Sequence, residues 1–183
     1  MREIEIKFRV QNLEEIEKRL LEKGCVISAP ISQHDTTYSL NSSEDELEAA
    51  KEGDIVIRIR RLQDMAEVNL KQQKTDGMMD SLEYETEVKD PVVMDKILQM
   101  LKWNPVIEVS KQRKKAKWGD YEVCLDNVER LGSFVEIEKL TAPDADLNSV
   151  REDIYKQAES IGISRDSEEK RHYDTQIYQL GRV

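Results

Sequence analysis

The sequence predicts an α+β fold: an eight-stranded closed antiparallel β-barrel, a tunnel, with helices packed outside. Three observations carry this. Eight segments alternate apolar and polar residues with the period of two that marks a strand. Three others repeat apolar residues at helical spacing. Several strands also place one kind of charge along one face, which an ordinary water-facing strand has no need to do.

Residues 2–10 begin the pattern. Ile4, Ile6, Phe8 and Val10 lie on one face, and Glu3, Glu5, Lys7 and Arg9 on the other. Asn12 then stands where a helix N-cap belongs, with Glu15 three residues on as its capping-box partner. Leu13, Ile16, Leu20 and Leu21 keep the helical period until Gly24 ends it. Further strands are predicted at 33–40, 54–62, 67–73, 82–89, 107–115, 119–127 and 133–140. The acidic, polar stretch 41–53 reads as a mobile connection, and 72–81, with Asp76-Gly77, as a turn. A second helix is predicted after Asp90-Pro91, with Val93, Ile97, Leu98 and Leu101 on one face. A third runs from about Leu147 to Ile161, burying Val150, Ile154 and Ala158. There is no internal repeat, and residues 1–183 are expected to form a single domain.

Composition narrows the function. The chain is 36% charged with a net charge of −10, so a general nucleic-acid binder, which needs a basic footprint, is excluded. The basic residues are nevertheless concentrated, at Arg58, Arg60 and Arg61 and again from Lys111 to Lys117, as a focused anion site requires. Cys25 and Cys124 fit no metal-ligand spacing and are expected as free thiols. No apolar run approaches the ~20 residues of a membrane span, and the charged start lacks an apolar signal core. A cytoplasmic protein without a membrane partner is expected.

The same-sign faces suggest the chemistry. Arg58 and Arg60 flank Ile59; Asn69 and Lys71 share a face; so do Glu83, Glu85 and Glu87, then Lys111 and Arg113, then Glu136 and Glu138. A barrel with these charges inside and its apolar faces outside inverts the usual small barrel. Such an interior needs water, metal or a polyanion to offset desolvation. Glu3, Glu5, Glu136 and Glu138 are hard oxygen ligands suited to Mg2+ or Mn2+. Lys7, Arg58, Arg60, Lys71, Lys111 and Arg113 are phosphate donors, the arginines bidentate ones. A metal-bound triphosphate uses both sets. Taken singly, each motif is also what a solvated strand face looks like, and Glu83 to Glu87 could equally be an edge that blocks sheet aggregation. Lys114, Lys115 and Lys117 read as solvated, and His34 and His172 as structural or surface residues. The recurrence of matched charges on successive strands outweighs these readings.

In that order the motifs resemble the CYTH superfamily, the triphosphate tunnel metalloenzymes, over nearly the whole chain. Glu3-x-Glu5-x-Lys7 is similar to its N-terminal signature. Gln33-His34-Asp35-Thr36-Thr37-Tyr38, Arg58-x-Arg60, Asn69-x-Lys71 and Lys111-x-Arg113 resemble its successive strands. Leu125 to Glu138, reading LDNVERLGSFVEIE, resembles the block of its class IV adenylyl cyclase branch. The resemblance implies a metal-dependent enzyme converting ATP to cyclic AMP and pyrophosphate. The alternatives are a triphosphatase acting on inorganic or thiamine triphosphate, or a non-catalytic nucleotide or polyphosphate sensor. It implies Asp126 as a further metal ligand or a neighbour of one. Lys7, Glu85 and Glu87 are implied as catalytic, the glutamates orienting water or a second metal. A homodimer is also implied. The chain departs from the family at Asn69, often Thr, and at 81–87, which lacks the arginines cyclases often carry just before it. The tail Lys170-Arg171-His172-Tyr173 matches the family's C-terminal segment only loosely, and no lid role is expected of it.

Overall fold

The computed structural model describes residues 2–40, 51–76 and 79–181. Most of the predicted acidic connection, at 41–50, and Gly77 of the predicted turn lie outside these. The strands are β1 (Arg2–Arg9), β2 (Ile31–Ser39), β3 (Ile55–Arg61), β4 (Ala66–Gln73), β5 (Asp80–Val88), β6 (Asn104–Trp118), β7 (Tyr121–Val128) and β8 (Gly132–Thr141). They form a closed ring in the order β1-β5-β4-β3-β2-β6-β7-β8, and β8 pairs back to β1. Every pairing is antiparallel. Eight predicted strands are thus present, with ends shifted by a few residues.

The helices are α1 (Leu13–Glu22), α2 (Pro91–Met100), α3 (Leu147–Ser160) and α4 (Tyr173–Leu180). The first three have side-chain caps: Asn12, Asp90 and Asp146 each accept from two backbone N–H groups of the first turn. The capping box is only half made, because Glu15 accepts from Arg19 instead of turning back to Asn12. The fourth helix has no such signal, since its N-cap residue His172 makes no capping bond. None of the described helices is long and apolar enough to cross a membrane.

The apolar core lies outside the ring. Ile4, Ile6 and Phe8 of β1, with Val123, Leu125, Val135 and Ile137 of β7 and β8, meet Ile16 and Leu20 of α1. Ile154, Ala158 and Ile161 close the cluster from the α3 side. Burying each such side chain contributes about 1.5–3 kcal/mol. On the opposite wall the cover is thinner: Leu98 of α2 packs on Tyr38, Ile57 and Ile59, but Ile55, Val92, Val93 and Ile97 remain exposed. Because side chains alternate across a strand, burying the apolar set outward turns the charged set inward. The β7–β8 turn depends on Gly132, whose φ of +95° is one that residues with a Cβ rarely adopt.

One seam is short. β5 meets β1 only through Ser81, Leu82 and Asp80, and beyond Leu82 it is paired with β4 alone. The far end of β5 therefore projects past the closed part of the ring.

Candidate functional site

The ring encloses a cavity of about 680 Å3 lined by charged side chains from all eight of its strands. The charges are sorted. The contiguous arc β7-β8-β1-β5 contributes Glu122, Glu136, Glu138, Glu3, Glu5, Glu83 and Glu85 to the lining, and Asp126 of β7 is fully buried against Arg113. The arc β4-β3-β2-β6 contributes Lys71, Arg58, Arg60, Lys111, Arg113 and Lys115. Two residues cross over: Lys7 stands on the acidic arc and Asp35 on the basic one. Alternation places them there, since Lys7 continues the phase of Glu3 and Glu5, and Asp35 lies opposite Arg60 in the β2–β3 register.

Five of the six predicted phosphate cations have carboxylate partners. Arg60 donates to both oxygens of Asp35, at 2.8 and 2.9 Å, and Arg58 lies 3.4 Å from the same group. Lys71 contacts Glu3 at 3.0 Å and Glu83 at 3.3 Å. Lys111 donates to Asp126 at 3.1 Å. Arg113 donates to both Asp126 oxygens, at 2.7 and 2.5 Å, and to Glu136. Lys7 has no carboxylate ion pair among the described residues; its ammonium lies 4.2 Å from the ring centroid of Tyr173. The Nε of Arg58 is a buried donor with no hydrogen-bond partner among the described residues.

The carboxylates divide according to what faces them. Burial opposes ionisation of Asp35, Asp126 and Glu136, but the arginines and lysines beside them override it and hold all three below the usual carboxylate range. Glu83 is likewise brought down to about 2, against burial, by Lys71. The remaining carboxylates face one another. Burial, reinforced by Glu136 and Glu138, pushes Glu5 up to about 8. Burial, with Glu3 nearby, pushes Glu138 up to about 7, and burial also brings Glu3 to about 7. Among the lysines, burial lowers Lys7 and Lys111, whereas the ring of glutamates around Lys71 more than offsets its burial.

This pattern tests the metal expectation. Carboxylate oxygens of Glu5, Glu136 and Glu138 lie within 4.8 Å of one another. Three converging oxygen donors, two of them pushed up by burial and by neighbouring carboxylates, form a set that a hard divalent cation fits. Glu122, Cys124 and Glu138 form a second converging group, and Cys124 is buried as a free thiol.

The other predicted residues are placed as follows. Asp126 is fully buried, and its oxygens accept from Arg113, Lys111 and the Tyr173 hydroxyl, so they are engaged by donors. Glu85 is exposed at the cavity edge, 3.4 Å from the amide of Asn69. Glu87 is exposed and is not among the cavity residues, because it lies on the part of β5 that runs past the ring. Lys115, expected as solvated, lines the cavity and pairs with Glu122 at 2.6 Å. His34 points outward onto Ser110, as a structural residue does. His172 lines the cavity, where burial takes it down to about 4 and keeps it neutral.

Sequence reasoning missed the contribution of α4. Its first turn, His172 to Thr175, lines the cavity. Tyr173 donates to Asp126 at 3.1 Å, and its ring meets Phe134 edge-on with centroids 5.0 Å apart. The available signals were the loose match of Lys170-Arg171-His172-Tyr173 to the family's C-terminal segment and the Tyr173–Ile177 spacing.

Comparisons with known proteins agree with this geometry. A family model for the CYTH domain matches residues 1–173. The Methanocaldococcus jannaschii protein named "Putative adenylate cyclase MJ0240" is 26% identical over 174 residues, 94% of this chain and 97% of its own. The PH1012 protein of Pyrococcus horikoshii has the same fold, with a TM-score of 0.79 at 24% identity over 93% of this chain and 96% of its own. The Hippeastrum protein HpAC1 is described as a putative adenylyl cyclase with a dominant triphosphatase activity. It aligns with a TM-score of 0.65 at 15% identity, over 100% of this chain and 96% of its own.

Proposed function

This chain belongs to the CYTH domain family, and from that premise we propose that it is a metal-dependent adenylyl cyclase-like enzyme converting ATP to cyclic AMP and pyrophosphate. The observation that carries the reading is the sorting of the cavity into an acidic and a basic arc. A single anion could be bound by the basic arc alone. A metal–triphosphate complex uses both arcs together.

Glu5, Glu136 and Glu138 would hold Mg2+ or Mn2+, which when bound neutralises phosphate charge. Glu3 stands beside this group and keeps Lys71 in place at 3.0 Å. Arg58 offers its unpartnered Nε, and Lys7 its ammonium, to phosphate oxygens. Lys71, Lys111, Arg60 and Arg113 exchange part of their carboxylate contacts for the same oxygens, with Asp35 and Asp126 fixing the two arginine planes. The cavity wall extends to Tyr38, Ile55, Val56, Trp103 and Val106, apolar surface that a nucleotide would use and an inorganic triphosphate would not. The name of the Methanocaldococcus jannaschii relative points the same way.

A specific observation favours a second reading, hydrolysis of a triphosphate. β5 presents Glu83 and Glu85 to the cavity and no arginine, and Glu85 stands exposed at the cavity edge, where it would orient water. One product assay separates the two. Purified protein is incubated with ATP, thiamine triphosphate and inorganic triphosphate in Mn2+ and in Mg2+. Cyclic AMP with equimolar pyrophosphate is the expected outcome. Release of orthophosphate without cyclic AMP would replace the first reading with the second, and tight binding without turnover would leave a sensor.

A further inference from the structure

Lys7 and Lys111 are two of the most deeply buried cations in the cavity, at 1% and 5% exposure. Burial lowers both, and the like charge of Lys111 lowers Lys7 further. Both ammoniums approach one ring, that of Tyr173, at 4.2 and 5.0 Å from its centroid. The negative face of an aromatic ring attracts a cation strongly when both are desolvated. The same residue's hydroxyl donates to Asp126 at 3.1 Å, the carboxylate that also receives Lys111 and Arg113.

Tyr173 is held in turn by α4. Its ring packs edge-on against Phe134, and Ile177 one turn later joins Val109, Val128 and Phe134 in a small apolar cluster. Arg9 of β1 ties the helix to the barrel by donating to Gln176 at 2.8 Å. A tyrosine needed only for packing would have no reason to gather two lysines and the carboxylate that serves an arginine.

We propose that Tyr173 is the positioning residue of the triphosphate site, its ring placing Lys7 and Lys111 and its hydroxyl anchoring Asp126 as α4 docks on the barrel. This rests on the reading of the cavity as a triphosphate site. The C-terminal helix is then part of substrate binding, although its sequence carries no phosphate motif.

The test measures binding of inorganic triphosphate by calorimetry and steady-state kinetics in Mn2+, for wild type, Tyr173→Phe and Tyr173→Leu. Tyr173→Leu removes the ring and should raise KM and the Kd for triphosphate about tenfold, or about 1.4 kcal/mol, with kcat changed less. Tyr173→Phe keeps the ring and should restore most of the affinity. A purely structural tyrosine would lower the melting temperature in both variants and leave KM alone. Should Tyr173→Leu not fold, a series of increasingly fluorinated phenylalanines at position 173 keeps the shape and weakens only the ring's electrostatics. KM rising stepwise along that series supports the proposal. A flat series, or a Leu variant with wild-type affinity, overturns it. Wild-type protein that binds no triphosphate in Mn2+ would overturn the functional reading first, and this inference with it.

Discussion

The two arcs of the barrel solve the same electrostatic problem in different ways. On the basic arc each buried cation has been given a carboxylate: Arg60 and Arg58 share Asp35, Lys71 has Glu3 and Glu83, and Arg113 has Asp126 and Glu136. On the acidic arc Glu5 and Glu138 face other carboxylates. One arc is electrostatically satisfied by the protein and the other is left short of positive charge. The difference teaches where a ligand's charges would go: metal to the acidic arc, phosphate oxygens to the basic one. The outer coverings differ in parallel. The acidic arc is backed by α1 and α3 over a large apolar cluster, whereas α2 covers the basic arc thinly. The wall that must hold repelling carboxylates together is the better packed one.

The largest expected effect tests that packing. Ile137→Ala, behind the acidic arc at 0% exposure, should destabilise the protein by about 2–5 kcal/mol. Val92→Ser, at 58% exposure on α2 over the basic arc, should change stability by less than about 0.5 kcal/mol. Urea denaturation measures both, and equal losses would break the contrast. Next comes the chemistry. Glu136→Gln should lower metal-dependent turnover by at least ~100-fold while circular dichroism shows the fold retained. Turnover near wild type would mean the metal lies elsewhere. Arg58→Ala, on the other arc, should raise KM for the triphosphate about tenfold through loss of a charge-assisted contact and leave metal affinity unchanged. A loss of metal binding in that variant would show that the arcs do not act separately.

The smallest effect is in the pH dependence of stability, and its sign follows from the two kinds of carboxylate. Glu3, Glu5 and Glu138 have folded values raised to about 7, 8 and 7, so the folded state binds more protons than the unfolded one above their ordinary range. Their contribution is complete below about pH 4.5 and is lost as pH rises through 7 to 8. Asp35, Asp126, Glu83 and Glu136 are lowered, so theirs is present above the ordinary carboxylate range and is lost as pH falls below it. The metal-free protein should therefore melt highest at mildly acidic pH, and Mn2+ should restore stability at pH 8. A metal-free melting temperature that climbs steadily from pH 5 to 8 would contradict this.

Much of this was legible in the sequence because a strand's period is short and rigid. Once Ile4, Ile6 and Phe8 are buried, Glu3, Glu5 and Lys7 have only one face left, and the same holds on β3, β6 and β8. What alternation cannot reveal is where pairing stops. Glu85 and Glu87 continue the phase of Glu83, yet β5 leaves β1 after Leu82 and carries them to the exposed rim. Nor does it reveal which strands will pair: Asp35 and Asp126 gain their place from Arg60 and Arg113, which face them on neighbouring strands from 25 and 13 residues away in sequence. The fourth helix was missed for a local reason. It is eight residues long, its cap residue His172 makes no capping bond, and Tyr173 and Ile177 are too few to set a period. The metal-and-triphosphate reading of the cavity stands on the sorted arcs, and a single titration addresses it most directly. Mn2+ binding followed by electron paramagnetic resonance should be weakened in Glu136→Gln and Glu138→Gln, unaffected in Arg58→Ala, and tightened in wild type by added triphosphate. Mn2+ binding indifferent to both glutamine substitutions and to triphosphate would contradict the account.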